Sequence, residues 1–397
     1  MQPFEEIDVL DLTQSIAGPV STQFLAMLGA NVVKVEPPEG DTFRGLLGGA
    51  MFASVNLAGK RSVCLDMKTD EGQAAARELA DQADVVVESF RPGVVEKFGL
   101  DYDSVSETNE DVVYLSLTGF GQEGPYTEWP AYDPIIQAMS GLMSTIGYED
   151  RPPVRIGASV IDWGTGTTAA FLLASALLER EQTGAGEYID VNLFEVATAW
   201  MGYWIAHYTG SGEIAERSGT GFAGLAPNEV FHAADDDPFY LSVVNDHFFE
   251  RLCETIDRED LITDDRFHTN EQRWENRADL REILNDEFSD CDRKDLCEQL
   301  ASAGVPAGPL QHVDEVTEDP HLEARNMLTD SHNLYTDTPV KTANPPFSTT
   351  DGRPDLGERP PDQGEHTRAV LEELGYSDEQ IERMIEAGAA GPSEGSQ

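Results

Sequence analysis

Short apolar runs alternate with stretches of helical period through the first half of the chain. Residues 6–13 (Glu-Ile-Asp-Val-Leu-Asp-Leu-Thr) read as a buried strand. A turn at 14–19 leads into a helix over 19–28, with Pro19 suited to its first turn. Gly29 and its neighbours end that helix, and 32–36 is the next strand, completing a βαβ unit. The alternation continues with strands at 61–67, 84–90, 112–118 and 188–193 and helices at 69–82, 91–98 and 133–143. It predicts an α/β fold with a doubly wound, Rossmann-like large domain. From about 195 the pattern changes. An aromatic-rich helix (194–208) is followed by a small, glycine-rich stretch (211–227), then by a strand (239–244) and amphipathic helices (247–255, 271–286, 293–303). This reads as a smaller α+β domain. Residues 317–365 are polar and proline-rich with no clear long element; helices at 366–374 and 377–387 follow, and 388–397 reads as a frayed tail. There is no internal repeat.

One segment has a chemical signature of its own. Between 155 and 180 an extended run stops at Asp162, a Gly/Thr turn follows, and about four turns of apolar helix end in Glu-Arg-Glu. That places Asp162 at the C-terminal end of a strand and the entrance of a helix, the edge where open α/β sheets bind ligands. Three roles are compatible with it: a helix N-cap, a catalytic carboxylate, or a neighbour of a dinucleotide fingerprint in Gly164-Thr-Gly166-Thr-Thr-Ala169 with Asp190 on the ribose. The last would serve an NAD-binding dehydrogenase. It sets a negative charge where a pyrophosphate must sit, and the unit lies mid-chain. Local sequence does not decide among them.

The charge narrows the field. The 397 residues carry 74 acids against 26 bases, a net charge of −48. The acids are dispersed, including 234–237, 255–265 and 285–298, and only six lysines accompany twenty arginines. A dispersed acidic surface with few lysines predicts a cytoplasmic protein of an extreme halophile, soluble where salt screens self-repulsion. It also argues against nucleic acid and anionic membrane as partners. Four cysteines form no CxxC pair, and the eight histidines form no pair at metal spacing, so no metal site is predicted and a reduced compartment is. The acidic start of the chain reads as no secretion signal, and no run is taken to approach the length of a transmembrane helix.

Several stretches, read together, resemble the family III CoA-transferases (the CaiB/BaiF family). They include Val9-Leu-Asp-Leu-Thr…Ala17-Gly-Pro, Gly29-Ala-Asn-Val-Val-Lys34-Val-Glu36, Gly59-Lys60-Arg61-Ser62, Glu88-Ser89-Phe90-Arg91-Pro92-Gly93, Tyr132-Asp133…Gln137, Gly184-Ala-Gly186 and Gly364-Glu365-His366-Thr367. The match runs in consistent order from about 7 to 388. The resemblance implies that Asp162 is the nucleophile, attacking an acyl-CoA thioester to give a mixed anhydride and then an aspartyl-CoA thioester. Gly164 and Gly166 would supply N–H donors for the oxyanions beside Tyr132 and Asp133 on the substrate side. CoA or acyl-CoA is implied as substrate, with no permanently bound cofactor. Its contacts would be Gln14, Ser15 and Ala17, then Lys60, Ser89, Phe90, Arg91 and Lys97, with Arg44 or Arg91 taking up phosphate. Four of the six lysines lie between 34 and 97, the basic lining such a ligand requires in so acidic a chain. The sequence departs from its relatives at Pro37 and Lys97, where arginine is common.

The acceptor is expected to be a short carboxylic acid, such as succinate or mesaconate. The same family contains α-methylacyl-CoA racemases, which use a histidine–aspartate pair; this chain has Tyr132-Asp133, and a phenol is a poor proton shuttle at neutral pH. A non-catalytic CoA-binding protein would leave Asp162 only a capping role. The resemblance further implies an interlocked homodimer. It organises the chain as a large domain over 1–194, a linker over 195–227, a small α+β domain over 228–316, a second linker over 317–345 and a segment over 346–397 that completes the large domain. Within the first linker, 219–227 is a candidate loop over Asp162.

Overall fold

A computed structural model describes residues 1–332, 339–357 and 359–391. The chain divides into two compact units. The first comprises Met1–Ser140, Gly157–Gly202 and Asp319–Gln397, and the second Gly141–Ile156 and Tyr203–Glu318.

The first unit is built on strands β1 (Asp8–Leu12), β2 (Asn31–Glu36), β3 (Arg61–Cys64), β4 (Val85–Glu88), β5 (Val113–Thr118) and β6 (Glu187–Asn192). They form one sheet in the order β3-β2-β1-β4-β5-β6, every pair parallel. Both faces are covered, so strands such as Val85–Glu88 are buried along their whole length and read as apolar runs. The runs break in a consistent place: Asp11, Lys34, Glu36 and Glu88 are buried charges near the C-terminal ends of their strands. The helices here are α1 (Ala17–Met27), α2 (Ala50–Val55), α3 (Asp70–Gln82), α4 (Tyr102–Ser106), α5 (Asp133–Met139), α6 (Val160–Thr183) and α7 (Leu193–Trp200). Helix α3 shows the local logic: Thr69 caps it by accepting from Gly72 N, and Asp70 and Glu71 sit in its first turn.

The second unit opens with α8 (Gly202–Ser211), which is separated from α7 at Met201 where one continuous helix is predicted over 194–208. A three-stranded antiparallel sheet follows, β7 (Asn228–His232), β8 (Pro238–Ser242) and β9 (Ala307–Pro309). Around it lie α9 (Asp246–Thr255), α10 (Asn270–Glu275), α11 (Arg277–Phe288), α12 (Arg293–Ser302) and α13 (Val313–Thr317). Phe231, Phe239, Phe249, Leu284 and Phe288 centre its core. Residues 141–156 cluster with this unit, not with the 1–194 segment that contains them in the predicted domain boundaries. The reason is local: Arg217 donates to the carbonyls of Tyr148, Glu149 and Arg151.

The chain then returns to the first unit. It forms α14 (Pro320–Ala324), an antiparallel pair β10 (Leu328–His332) and β11 (Pro339–Ala343), α15 (Thr367–Glu373) and α16 (Asp378–Glu386). The strand pair falls where no element is predicted; residues 333–338 of that stretch lie outside the described residues. Val370, Leu371, Ile381 and Met384 enter the same core as Leu10, Val33 and Val63. The predicted frayed tail is tied down through Gly391: Asp66 N donates to Ala389 O at 2.9 Å and Gly391 N to Cys64 O at 3.0 Å. Its remainder, 392–397, lies outside the described residues.

Helix α6 corrects two expectations. It starts at Val160, so no strand precedes Asp162, and the Gly/Thr "turn" is its second turn. At 24 residues it is long and apolar enough, by length and composition, to cross a membrane. Here it is a core helix: eight of its residues are buried, and charges stand at both ends.

Candidate active site

Strands β1 and β4 are neighbours, and the chain leaves them in opposite directions along the sheet, β1 toward β2 and β4 toward β5. This is the topological switch point, where doubly wound sheets bind ligands outside the strands' carboxyl ends. A cavity of about 400 Å³ opens there. Gln14, Ser15 and Ala17 line it from the turn after β1, and Ser89, Phe90 and Arg91 from the turn after β4. Gly119 joins them after β5, with Trp129 and Tyr132 before α5, and Asp162 from α6. The two principal turns are tied together: Gln14 N donates to Ser89 Oγ at 3.1 Å. Ser15 adopts a left-handed conformation, φ 70°. Arg91 is exposed, with no side-chain hydrogen bond or ion pair among the described residues, so its guanidinium is free for a ligand.

Asp162 is half-buried in the first turn of α6. It is not the N-cap; that position is Ser159. The capping work is done from outside by Asp133, a buried residue on α5 whose Oδ2 accepts from Ile161 N at 2.7 Å and Asp162 N at 3.3 Å. Helix α6 can therefore start without consuming the Asp162 carboxylate. Burial, and then the like charge of Asp133, push the Asp162 carboxyl up to about 7.

Gly164 and Gly166 lie inside α6, so their N–H groups belong to the helix ladder and are not oxyanion donors. What they provide is proximity. A Cβ on Gly166 would fall on the Ala17 carbonyl oxygen and 2.6 Å from Val20 Cβ, and one on Gly164 would fall on the Trp200 indole. Without side chains there, α6 seats directly on the start of α1 at Gly166 and on Trp200 of α7 at Gly164. Asp162, one turn before Gly166, lines the same cavity as Ala17.

The basic cluster is largely structural. Lys60 is buried, with Nζ donating to Asp11 at 3.2 Å, Thr22 Oγ1 at 2.8 Å, Asn56 Oδ1 at 3.2 Å and the carbonyls of Pro19 and Val55. Arg44 is buried too, forked onto Glu36 with two 2.6 Å bonds and stacked 3.8 Å over Phe52. Neither lines the cavity, so the expectation that they hold phosphate is corrected: strand-end carboxylates, which must be neutralised in a dry interior, consume these cations. Burial alone would raise Asp11, but Lys60 and Lys34 hold it down at about 2. This network also shapes the cradle: Lys34 Nζ donates to Thr13 O at 2.5 Å and Asp11 Oδ1 accepts from Thr13 N at 2.9 Å. Lys97 is exposed on a 3-10 turn (Val95–Phe98) and is not among the cavity-lining residues. Trp129 is a lining residue that sequence reasoning missed; nothing in its polar, glycine-rich surroundings distinguishes it from an ordinary loop aromatic.

Fold and site define an α/β enzyme with a desolvated carboxylate at its topological switch point. The chain belongs to CoA-transferase family III, whose family model matches residues 4–367. It is 38% identical to an acetyl-CoA:oxalate CoA-transferase of Acetobacter aceti over 82% of this chain and 85% of that protein. It is 36% identical to a succinyl-CoA:mesaconate CoA-transferase of Haloarcula hispanica over 94% of this chain and 97% of that one. The crystal structure of a CaiB/BaiF family protein from Brucella suis superposes with a TM-score of 0.83 at 36% identity, covering 94% of this chain and 99% of that one. The protein is thus a CoA-transferase, and CoA thioesters and carboxylic acids are its substrates.

Proposed function

We propose that Asp162 carries CoA between two carboxylic acids as a covalent intermediate. Its carboxylate oxygen attacks the thioester carbonyl of the donor, the C–S bond breaks, and CoA leaves as thiolate. The thiolate attacks the aspartyl carbonyl of the resulting anhydride, releasing the donor acid and leaving CoA on Asp162. The acceptor carboxylate displaces the thiolate again, and thiolate attack on the acceptor's carbonyl returns Asp162 as a free carboxylate. Every step trades an anhydride or thioester bond for another and moves no proton. The residues lining the cavity suit that chemistry: they include one free cation, Arg91, and no histidine. The observation that carries the reading is Asp162 itself, relieved of capping by Asp133 and facing the switch-point cavity. Arg91 and the N-terminal end of α1 suit the CoA phosphates.

The acids are short dicarboxylates, with succinyl-CoA as donor and a C4–C5 dicarboxylate such as mesaconate as acceptor. The names of relatives support this: beside those above, a succinate–glutarate CoA-transferase of Agrobacterium fabrum is 36% identical over 96% of this chain. The working molecule is a cytoplasmic, interlocked homodimer adapted to high salt. The test is a chromatographic screen of CoA donors and acceptors in concentrated KCl. Succinyl-CoA with mesaconate or glutarate is expected to give the new thioester. Transfer confined to monocarboxylates would refute the substrate class, and turnover retained in D162N would refute the nucleophile.

A further inference from the structure

Beneath the cavity lies a charged group that the transfer does not use. Glu88 is the last residue of β4 and 1% exposed, and it forms no ion pair among the described residues. Its Oε2 accepts from Phe90 N at 2.7 Å, closing the turn that presents Ser89, Phe90 and Arg91. It also stands in register opposite Ser116 of β5. Ser116 Oγ in turn accepts from Gln122 Nε2 at 2.6 Å, and Gln122 N donates to Asp190 at 3.0 Å. The buried carboxylate therefore closes the turn after β4 and lies level with Ser116, the residue that holds Gln122 of the loop after β5.

We propose that Glu88 is a positioning residue for CoA: by accepting from Phe90 N it fixes the Ser89–Phe90–Arg91 turn from below. This rests on reading the switch-point cavity as the CoA site. An uncompensated buried carboxylate is expensive, and a position that served packing alone would be filled by an apolar residue of the same shape. What the side chain supplies, and an apolar residue could not, is a buried acceptor for Phe90 N. Burial raises it to about 7, with Glu96 and Asp190 adding like charge while Ser116 and Phe90 N oppose the rise. Tyr114 and Tyr188 also face it.

The test is calorimetric titration of CoA into wild type, E88A and E88Q, alongside steady-state kinetics. E88A is expected to bind CoA at least about tenfold more weakly, equivalent to one lost hydrogen-bonded brace, and to raise KM for the CoA donor but not for the acceptor acid. E88Q keeps the shape and the acceptor for Phe90 N, and should restore CoA affinity to within about threefold of wild type. Unchanged CoA affinity in E88A, or donor and acceptor KM rising together, would overturn the proposal. If circular dichroism shows that E88A does not fold, E88M fills the same space without an acceptor; unchanged CoA affinity there overturns the proposal equally. Wild-type protein that binds no CoA would overturn the reading of the cavity and this role with it, whereas tight binding shared by wild type and E88A would overturn the role of Glu88 alone.

Discussion

At the scale of single residues, Asp162 is under two opposed demands. It must be ionised to attack, yet burial and Asp133 favour its protonated form and lift it to about 7. The acid limb of kcat/KM, which reports the free enzyme, is expected to bend near pH 7, with activity rising above it. D133N removes the like charge while keeping an acceptor for the start of α6. Because burial is the larger cause, the limb should move toward lower pH by less than about one unit. A limb that stays in place would show that Asp133 does not act on Asp162 electrostatically. The same shift has a stability consequence. A carboxyl whose folded value lies above its unfolded value binds more protons when folded, so stability falls as pH rises from about 4 to 7. D162N should abolish transfer, by about 10⁴-fold or more. It should also melt higher than wild type above pH 7, the gap closing by pH 4. Thermal melts across that range check it.

At the scale of elements, the decisive contact is α6 on α1. G166A would drive a methyl into the Ala17 carbonyl and Val20. It is expected to destabilise the fold by about 1–3 kcal/mol or more by overpacking, and to depress turnover by displacing Asp162. Denaturant melts and kinetics together read both effects. Lys60 makes the complementary case. Removing one partner of its buried pair with Asp11 should cost about 3–5 kcal/mol, so K60M is expected to lose stability in a urea melt. Loss of CoA affinity in K60M without loss of stability would return Lys60 to the ligand.

Much of this was legible beforehand, and the failures have a common form. The strands announce themselves because both faces are buried; Asp162, Ser89, Phe90 and Gln14, which the resemblance singles out, line one cavity, though no strand precedes Asp162. The glycines of α6 read as a turn because glycine is permissive in isolation; close helix packing, which uses the same absence of a Cβ, depends on partners distant in sequence, Trp200 for Gly164 and Ala17 with Val20 for Gly166. Lys60 and Arg44 read as phosphate ligands because a sequence shows cations but not the buried carboxylates, Asp11 and Glu36, that consume them.

At the scale of the whole molecule, the charge of −48 governs behaviour more than any single pair. Many acids have no cation within reach to offset them, since there are 74 acids for 26 bases. Raising salt from about 0.1 M to 1 M shortens the screening length from roughly 10 Å to 3 Å and should relieve that repulsion. The melting temperature is expected to climb steadily with KCl; a flat dependence would refute adaptation to high salt.

Intact-protein and peptide mass spectrometry reads the covalent intermediate on Asp162 itself. After brief incubation with acyl-CoA and acid quench, the peptide containing Asp162 is predicted to carry CoA less one water, and hydroxylamine should remove it. No adduct under turnover conditions, or an adduct on any other residue, would contradict the assignment of Asp162 as the carrier of CoA.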